Sequence, residues 1–147
     1  MTDAQLDAIE TALGVTLPPA YRRVSREFPF RPIGPDWVYW FYNDPNRVIH
    51  GTRFPLEDGG YAGPELLPRY VVIGESGSGD PYLLDTAADG LPVVLLSHET
   101  HAIESAWPTF EAFVEEWVRA PAEIAARRAV EEAAPAALEP AAPKIVA

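Results

Sequence analysis

The first apolar positions recur at helical spacing. Leu6, Ile9 and Leu13 fall on one face, as an amphipathic helix requires. Thr2 and Gln5 fit a capping box that opens this helix, and Gly14 is a natural stop. Pro18 and Pro19 suit the first turn of a second helix, where a missing N–H costs nothing. Tyr21, Val24 and Phe28 supply its buried stripe, and Pro29 and Pro32 end it.

The pattern then turns strand-like. Residues 37–42 read Trp-Val-Tyr-Trp-Phe-Tyr, rich in residues that favour strands. Asn43-Asp44-Pro45-Asn46 reads as a turn, and residues 47–52 are expected to return antiparallel. Residues 54–68 carry Pro55, Gly59, Gly60, Gly63 and Pro64, so they read as loop. Residues 70–73 and 82–85 flank a glycine-rich turn and pair as a hairpin. Asp89-Gly90 marks another turn before a strand at 93–96. Thr109 caps a closing helix over 110–118, with Phe110, Phe113, Val114 and Trp117 inward. The sum is an α+β domain: a mostly antiparallel sheet with an N-terminal helix pair and a closing C-terminal helix packed on it.

Composition breaks near Ala120. Residues 121–147 are mainly Ala, Pro and Glu and hold no aromatic residue. Such a stretch buries too little surface to offset its ordering entropy. We therefore expect a domain at 1–120 and a tail at 121–147, disordered or partly helical, with any helix over 123–134.

Charge narrows the partners. Lys and Arg number 11 against 22 Asp and Glu, a net −11. The tail holds four acidic and three basic residues, which leaves ten of those charges on residues 1–120. Nucleic acid needs a basic footprint, and an anionic membrane needs the same. Neither is expected as a ligand. A basic protein would be drawn to this field. No cysteine is present, which excludes disulfides, thiolate metal sites and cysteine nucleophiles. The opening MTDAQLDAIE has no basic n-region or apolar core of a signal peptide. No run approaches the roughly 18 apolar residues of a membrane span. A cytoplasmic location is expected.

Three polar groups invite a chemical reading. Gly74-Glu75-Ser76-Gly77-Ser78-Gly79-Asp80 resembles a phosphate loop, but no Lys-Ser/Thr follows and the next residues read as a strand. A hairpin turn is expected. Ser97, His98 and Asp85 suggest a hydrolase triad, yet neighbours on a strand point to opposite faces and no Gly-x-Ser-x-Gly elbow is present. His98 is expected to hydrogen-bond locally, and no catalytic residue is assigned. His98-Glu99-Thr100-His101 is one residue short of the His-Glu-x-x-His zinc motif, and His50 is distant. No metal and no cofactor are expected.

Four segments carry a resemblance. They are Leu13-Gly14-Val15-Thr16-Leu17-Pro18-Pro19-Ala20-Tyr21; Ile73-Gly74 through Gly77-Ser78-Gly79-Asp80 to Tyr82-Leu83-Leu84-Asp85; Pro92-Val93-Val94-Leu95-Leu96-Ser97-His98-Glu99; and Ile103 through Thr109-Phe110-Glu111-Ala112-Phe113. In order and spacing they resemble the SUKH superfamily of Smi/Knr-like domains, over residues 3–118. One departure follows the second helix, where Phe28–Gly34 replaces the Asn-Gly of many members. The tail is not part of the family pattern. The resemblance implies a mostly antiparallel sheet with helices on it, and a protein-binding role. Many members neutralise toxins exchanged between bacteria, often nucleases, by direct contact; a fungal branch resembles scaffolds.

The expected function is thus an immunity-type binding protein that neutralises a basic toxin, with no enzymatic activity. A regulatory scaffold is the alternative, and a small enzyme using His98 the second. The aromatic stretch must send one alternate set, Trp37/Tyr39/Phe41 or Val38/Trp40/Tyr42, inward. The other set lies either under the 54–68 loop or at the surface, where Trp and Tyr make good anchors. Acidic loop residues would complement a basic cleft. The expected partner contacts are Asp36, Trp37, Tyr39, Glu57, Asp58, Tyr61, Glu75 and Asp80.

Overall fold

The computed structural model describes residues 1–27, 41–53 and 67–119, and the helical backbone of 123, 126, 127, 130 and 131. Helix α1 (Asp3–Leu13) begins at the expected box: Thr2 Oγ1 accepts from the Gln5 N–H, and Gln5 Oε1 accepts from the Thr2 N–H at 2.8 Å. Gly14 ends it at φ 68°, a left-handed conformation glycine adopts freely. Leu6, Ile9 and Leu13 are buried along it. Helix α2 (Pro19–Glu27) buries Tyr21, Val24 and Ser25. Arg22 ties the two helices through Asp3, Asp7 and Glu10, and Arg26 also reaches Asp3. The Arg26 and Arg22 guanidiniums hold the Asp3 carboxyl below its usual range. Phe28 and residues 37–40 lie outside the described residues.

The expected return strand over 47–52 is instead a helix, α3 (Pro45–Arg53). Asp44 starts it, with its side chain accepting the Asn46 N–H at 2.8 Å and its carbonyl accepting from Arg47. Pro45 stands in the first turn, where its ring fits. Val48 and Thr52, four apart, form the buried stripe.

Four strands follow in one antiparallel sheet, ordered as in sequence: β1 (Tyr70–Glu75), β2 (Pro81–Asp85), β3 (Val93–Leu96) and β4 (Ile103–Trp107). A bulge at Ile73 lets Val72 pair with Leu83 and Gly74 with Tyr82. Register sets Leu84, Val93 and Trp107 in one cross-strand rank, and Tyr82, Leu95 and Ser105 in the next. All five residues of β2 are buried, so both faces of the central sheet are covered. β4 was not expected as a strand. Helix α4 (Phe110–Val114) closes the domain, with Thr109 Oγ1 accepting the Ala112 N–H, and runs into a π-type turn at Glu115–Arg119.

One core joins these elements. Phe113 stacks against Tyr82 at 5.1 Å and Trp107 at 5.3 Å between centroids, and Phe110 meets Tyr21 at 5.9 Å. On the far side of the sheet the outer edge of β1 is occupied: the Tyr42 N–H donates to the Ile73 carbonyl at 2.7 Å, and the Val72 N–H donates to Thr52 Oγ1 at 3.0 Å. Thr52 is fully buried. Thr52→Val keeps the shape and strands the Val72 N–H, so it should lower unfolding stability by about 1–3 kcal/mol. Thr52→Ser should recover most of that loss in urea denaturation. Equal stability of all three proteins would remove the bond from the account.

Candidate functional site

Both hairpin turns at one end of the sheet are built by short side chains. In the β1–β2 turn, Ser76 Oγ accepts the N–H of Ser78 at 3.2 Å and of Asp80 at 3.1 Å, and Gly79 takes φ 88°. In the β3–β4 turn, Ser97 Oγ accepts the N–H of Glu99 at 3.3 Å and of Thr100 at 3.2 Å. The Ser97 N–H donates to the Ala102 carbonyl at 2.9 Å, and His101 takes φ 62°. These are serine-built turns of the kind that replace backbone pairing.

Asp80 joins the two turns. Its Oδ1 accepts the His98 N–H at 2.9 Å and lies 2.6 Å from His98 Nδ1, and Ser76 Oγ donates to its Oδ2 at 3.3 Å. Burial works to raise the Asp80 carboxyl, but the hydrogen bonds from His98 and Ser76 prevail and hold it below its usual value. His98 was expected to bond locally. It reaches across to the other turn because the antiparallel pairing of β2 with β3 brings Asp80 beside it. Ser97 is buried and its hydroxyl serves the turn, so it is not poised by His98 as a nucleophile would be. At the opposite end Arg69 grips Asp85 through Nε and Nη2, the latter at 2.7 Å, which lowers the Asp85 carboxyl. Asp85 is therefore at the far end of the sheet from Ser97 and His98.

Of the eight expected contacts, Glu75 and Asp80 are among the described residues; Asp36, Trp37, Tyr39, Glu57, Asp58 and Tyr61 lie outside them. The structure brings Glu75 and Asp80 to the same turn. Asp80 faces inward at 8% exposure, so its charge serves the fold. Glu75 is half-buried beside Tyr42, whose phenol is raised by burial and then by the Glu75 charge. Arg47 lies over the same ring, 5.6 Å from its centroid.

A larger feature was missed. Between Arg69 and Arg119 the chain carries three aspartates and six glutamates, and no Lys or Arg. This run makes the whole sheet and helix α4. Within it Glu111 and Glu115 pair with Arg119, and Glu116 accepts from Trp107 Nε1 at 2.9 Å. Glu99 and Glu104 are exposed, on the β3–β4 turn and on β4. Among the described residues no group of three or more His, Asp or Glu could hold a metal ion, and no helix is long and apolar enough to cross a membrane.

Fold and site together define a small α+β domain with an exposed strand, β4, carrying Glu104 beside a turn that carries Glu99. The model of the SMI1 / KNR4 family (SUKH-1) matches residues 1–116, and the chain belongs to that family. Membership is consistent with an immunity-type or binding protein. No curated protein and no solved structure matched the chain.

Proposed function

We propose that this protein is an immunity-type module that binds a basic toxin domain, a nuclease in the first instance, and neutralises it by covering its active cleft. The observation that supports this most is the unbroken anionic run from Tyr70 to Val118 in a chain of this family. A cationic partner approaching the sheet meets no like charge from that run, so long-range attraction would raise the rate of encounter. Asp80, Ser97 and His98 already hold the turns together, so the module needs no chemistry of its own. We assign Asp36, Trp37, Tyr39, Glu57, Asp58, Tyr61 and Glu75 to the contact, with the aromatic residues as anchors.

The test is calorimetric titration of the full chain with the toxin domain encoded by the adjacent gene, across salt. Tight binding is expected, weakening about tenfold or more as screening shortens from about 30 Å near 0.01 M salt to about 8 Å near 0.15 M. Deleting residues 121–147 should leave affinity unchanged if residues 1–120 are the binding unit. Loss of function on that deletion, with the core still folded, would favour a scaffold in which the tail recruits partners. Absence of binding at low salt would sink the immunity reading.

A further inference from the structure

The two edges of the sheet differ. The edge at β1 is filled by Tyr42 and Thr52. β4 is last in the sheet order, and among the described residues no strand pairs with its outer edge. Ile103, Glu104, Ser105 and Ala106 are all exposed, and Ile103 is 62% so. A single exposed isoleucine means little by itself. Here it lies on the last strand of the sheet, where Ile103 to Ala106 are exposed and no described strand pairs with the outer edge, which is a template for another strand.

We propose that the outer edge of β4 is a docking site for an extended segment of a cationic protein, added as a fifth strand. Strand addition supplies affinity through main-chain hydrogen bonds and specificity through alternate side chains. The β3–β4 register shifts between Leu95 and Leu96, so Ile103 and Glu104 stand at an irregularity of the edge and not in plain alternation. Ile103 calls for an apolar side chain in the added strand, and Glu104 calls for a Lys or Arg beside it. Glu99 on the adjoining turn adds to the demand for positive charge. The same charges disfavour a second copy of this chain, because edge-to-edge pairing would bring two acidic strands together. The proposal rests on the reading that the partner is basic, and it specifies how that partner is held.

Amide hydrogen exchange of the full chain, read by NMR with and without a short peptide alternating lysine and valine, tests the edge directly. Exchange should slow at residues 103–107 with this peptide and not with one alternating glutamate and valine. Glu104→Lys turns an attractive cross-strand pair into a repulsive one and should weaken peptide binding about tenfold. Ile103→Ser, at an exposed site that leaves the fold intact, should weaken it about threefold. Unchanged exchange at 103–107 under saturating peptide overturns the proposal, as does slowing confined to other residues. Sedimentation showing a dimer broken by Glu104→Lys would also overturn it, by assigning the edge to a second copy. Slowing at β4 combined with no toxin binding would leave the docking edge standing and reject the immunity reading.

Discussion

Phe113→Ala should lower the unfolding free energy by about 3–5 kcal/mol, the range for emptying a buried phenylalanine site. Phe113 is fully buried, and its ring contacts both Tyr82 on β2 and Trp107 on β4. Tyr82 and Trp107 are themselves 5.7 Å apart, so the three rings form a closed triangle that holds α4 on the sheet. Alanine leaves a void between rigid aromatic neighbours that cannot collapse into it. The loss is a large part of the roughly 5–15 kcal/mol that stabilises a domain. Phe113→Leu, which retains most of the volume, should cost about 1.5 kcal/mol. Urea denaturation followed by tryptophan fluorescence measures both. A loss under about 2 kcal/mol for alanine would mean that the ring triangle does not fix α4. Because Trp107 also ends β4, the alanine variant should speed amide exchange along that strand more than along β1, whose edge is held by Tyr42 and Thr52.

Most of the frame was legible where local signals and burial agreed. The capping box at Thr2 and Gln5, the Leu6/Ile9/Leu13 stripe and the left-handed Gly14 needed no tertiary knowledge. The β1–β2 hairpin was marked by its glycine-rich turn between apolar runs. Residues 47–52 misled because Val48, Ile49 and Thr52 are β-branched and Asn43–Asn46 has turn composition. The better signal was Asp44 followed by Pro45, a helix start, with Val48 and Thr52 four apart. β4 was illegible for a different reason. Ile103-Glu-Ser-Ala-Trp lacks clean alternation, because an edge strand exposed over four residues carries little hydrophobic pattern. The exposed end of the site followed it out of view. Asp80 was misplaced because its acidity suggested solvent, while its role comes from His98, 18 residues away and close only through sheet pairing. The charge run between Arg69 and Arg119 was readable from the sequence as a gap between cations, and the fold buries Asp80 and Asp85 while leaving Glu99 and Glu104 exposed.

Asp80→Ala should cost about 3 kcal/mol at pH 7, and the loss should vanish in acid. The carboxylate accepts from the His98 backbone, the His98 ring and the Ser76 hydroxyl, and charged hydrogen bonds contribute about 1.5–3 kcal/mol each before the remaining polar groups rehydrate. Removing it also leaves a partly buried His98 N–H without its acceptor. Asp80→Asn keeps an oxygen in place and should cost about 1 kcal/mol. The pH dependence follows from the direction of the shift. Asp80 and Asp85 both sit below the ordinary aspartate value in the folded protein. In the unfolded chain they return to about 3.9. The unfolded state therefore binds more protons as pH falls toward and below that value. Their contribution is complete above about pH 5 and is lost as pH drops through the folded-state values. Stability of the native chain should fall steeply below pH 4, while Asp80→Asn should fall less over the same window. Urea midpoints of both proteins across pH 7 to 3 decide the matter. Parallel acid limbs would show that Asp80 is not the group that ties the two turns, and that the link through His98 carries no stability.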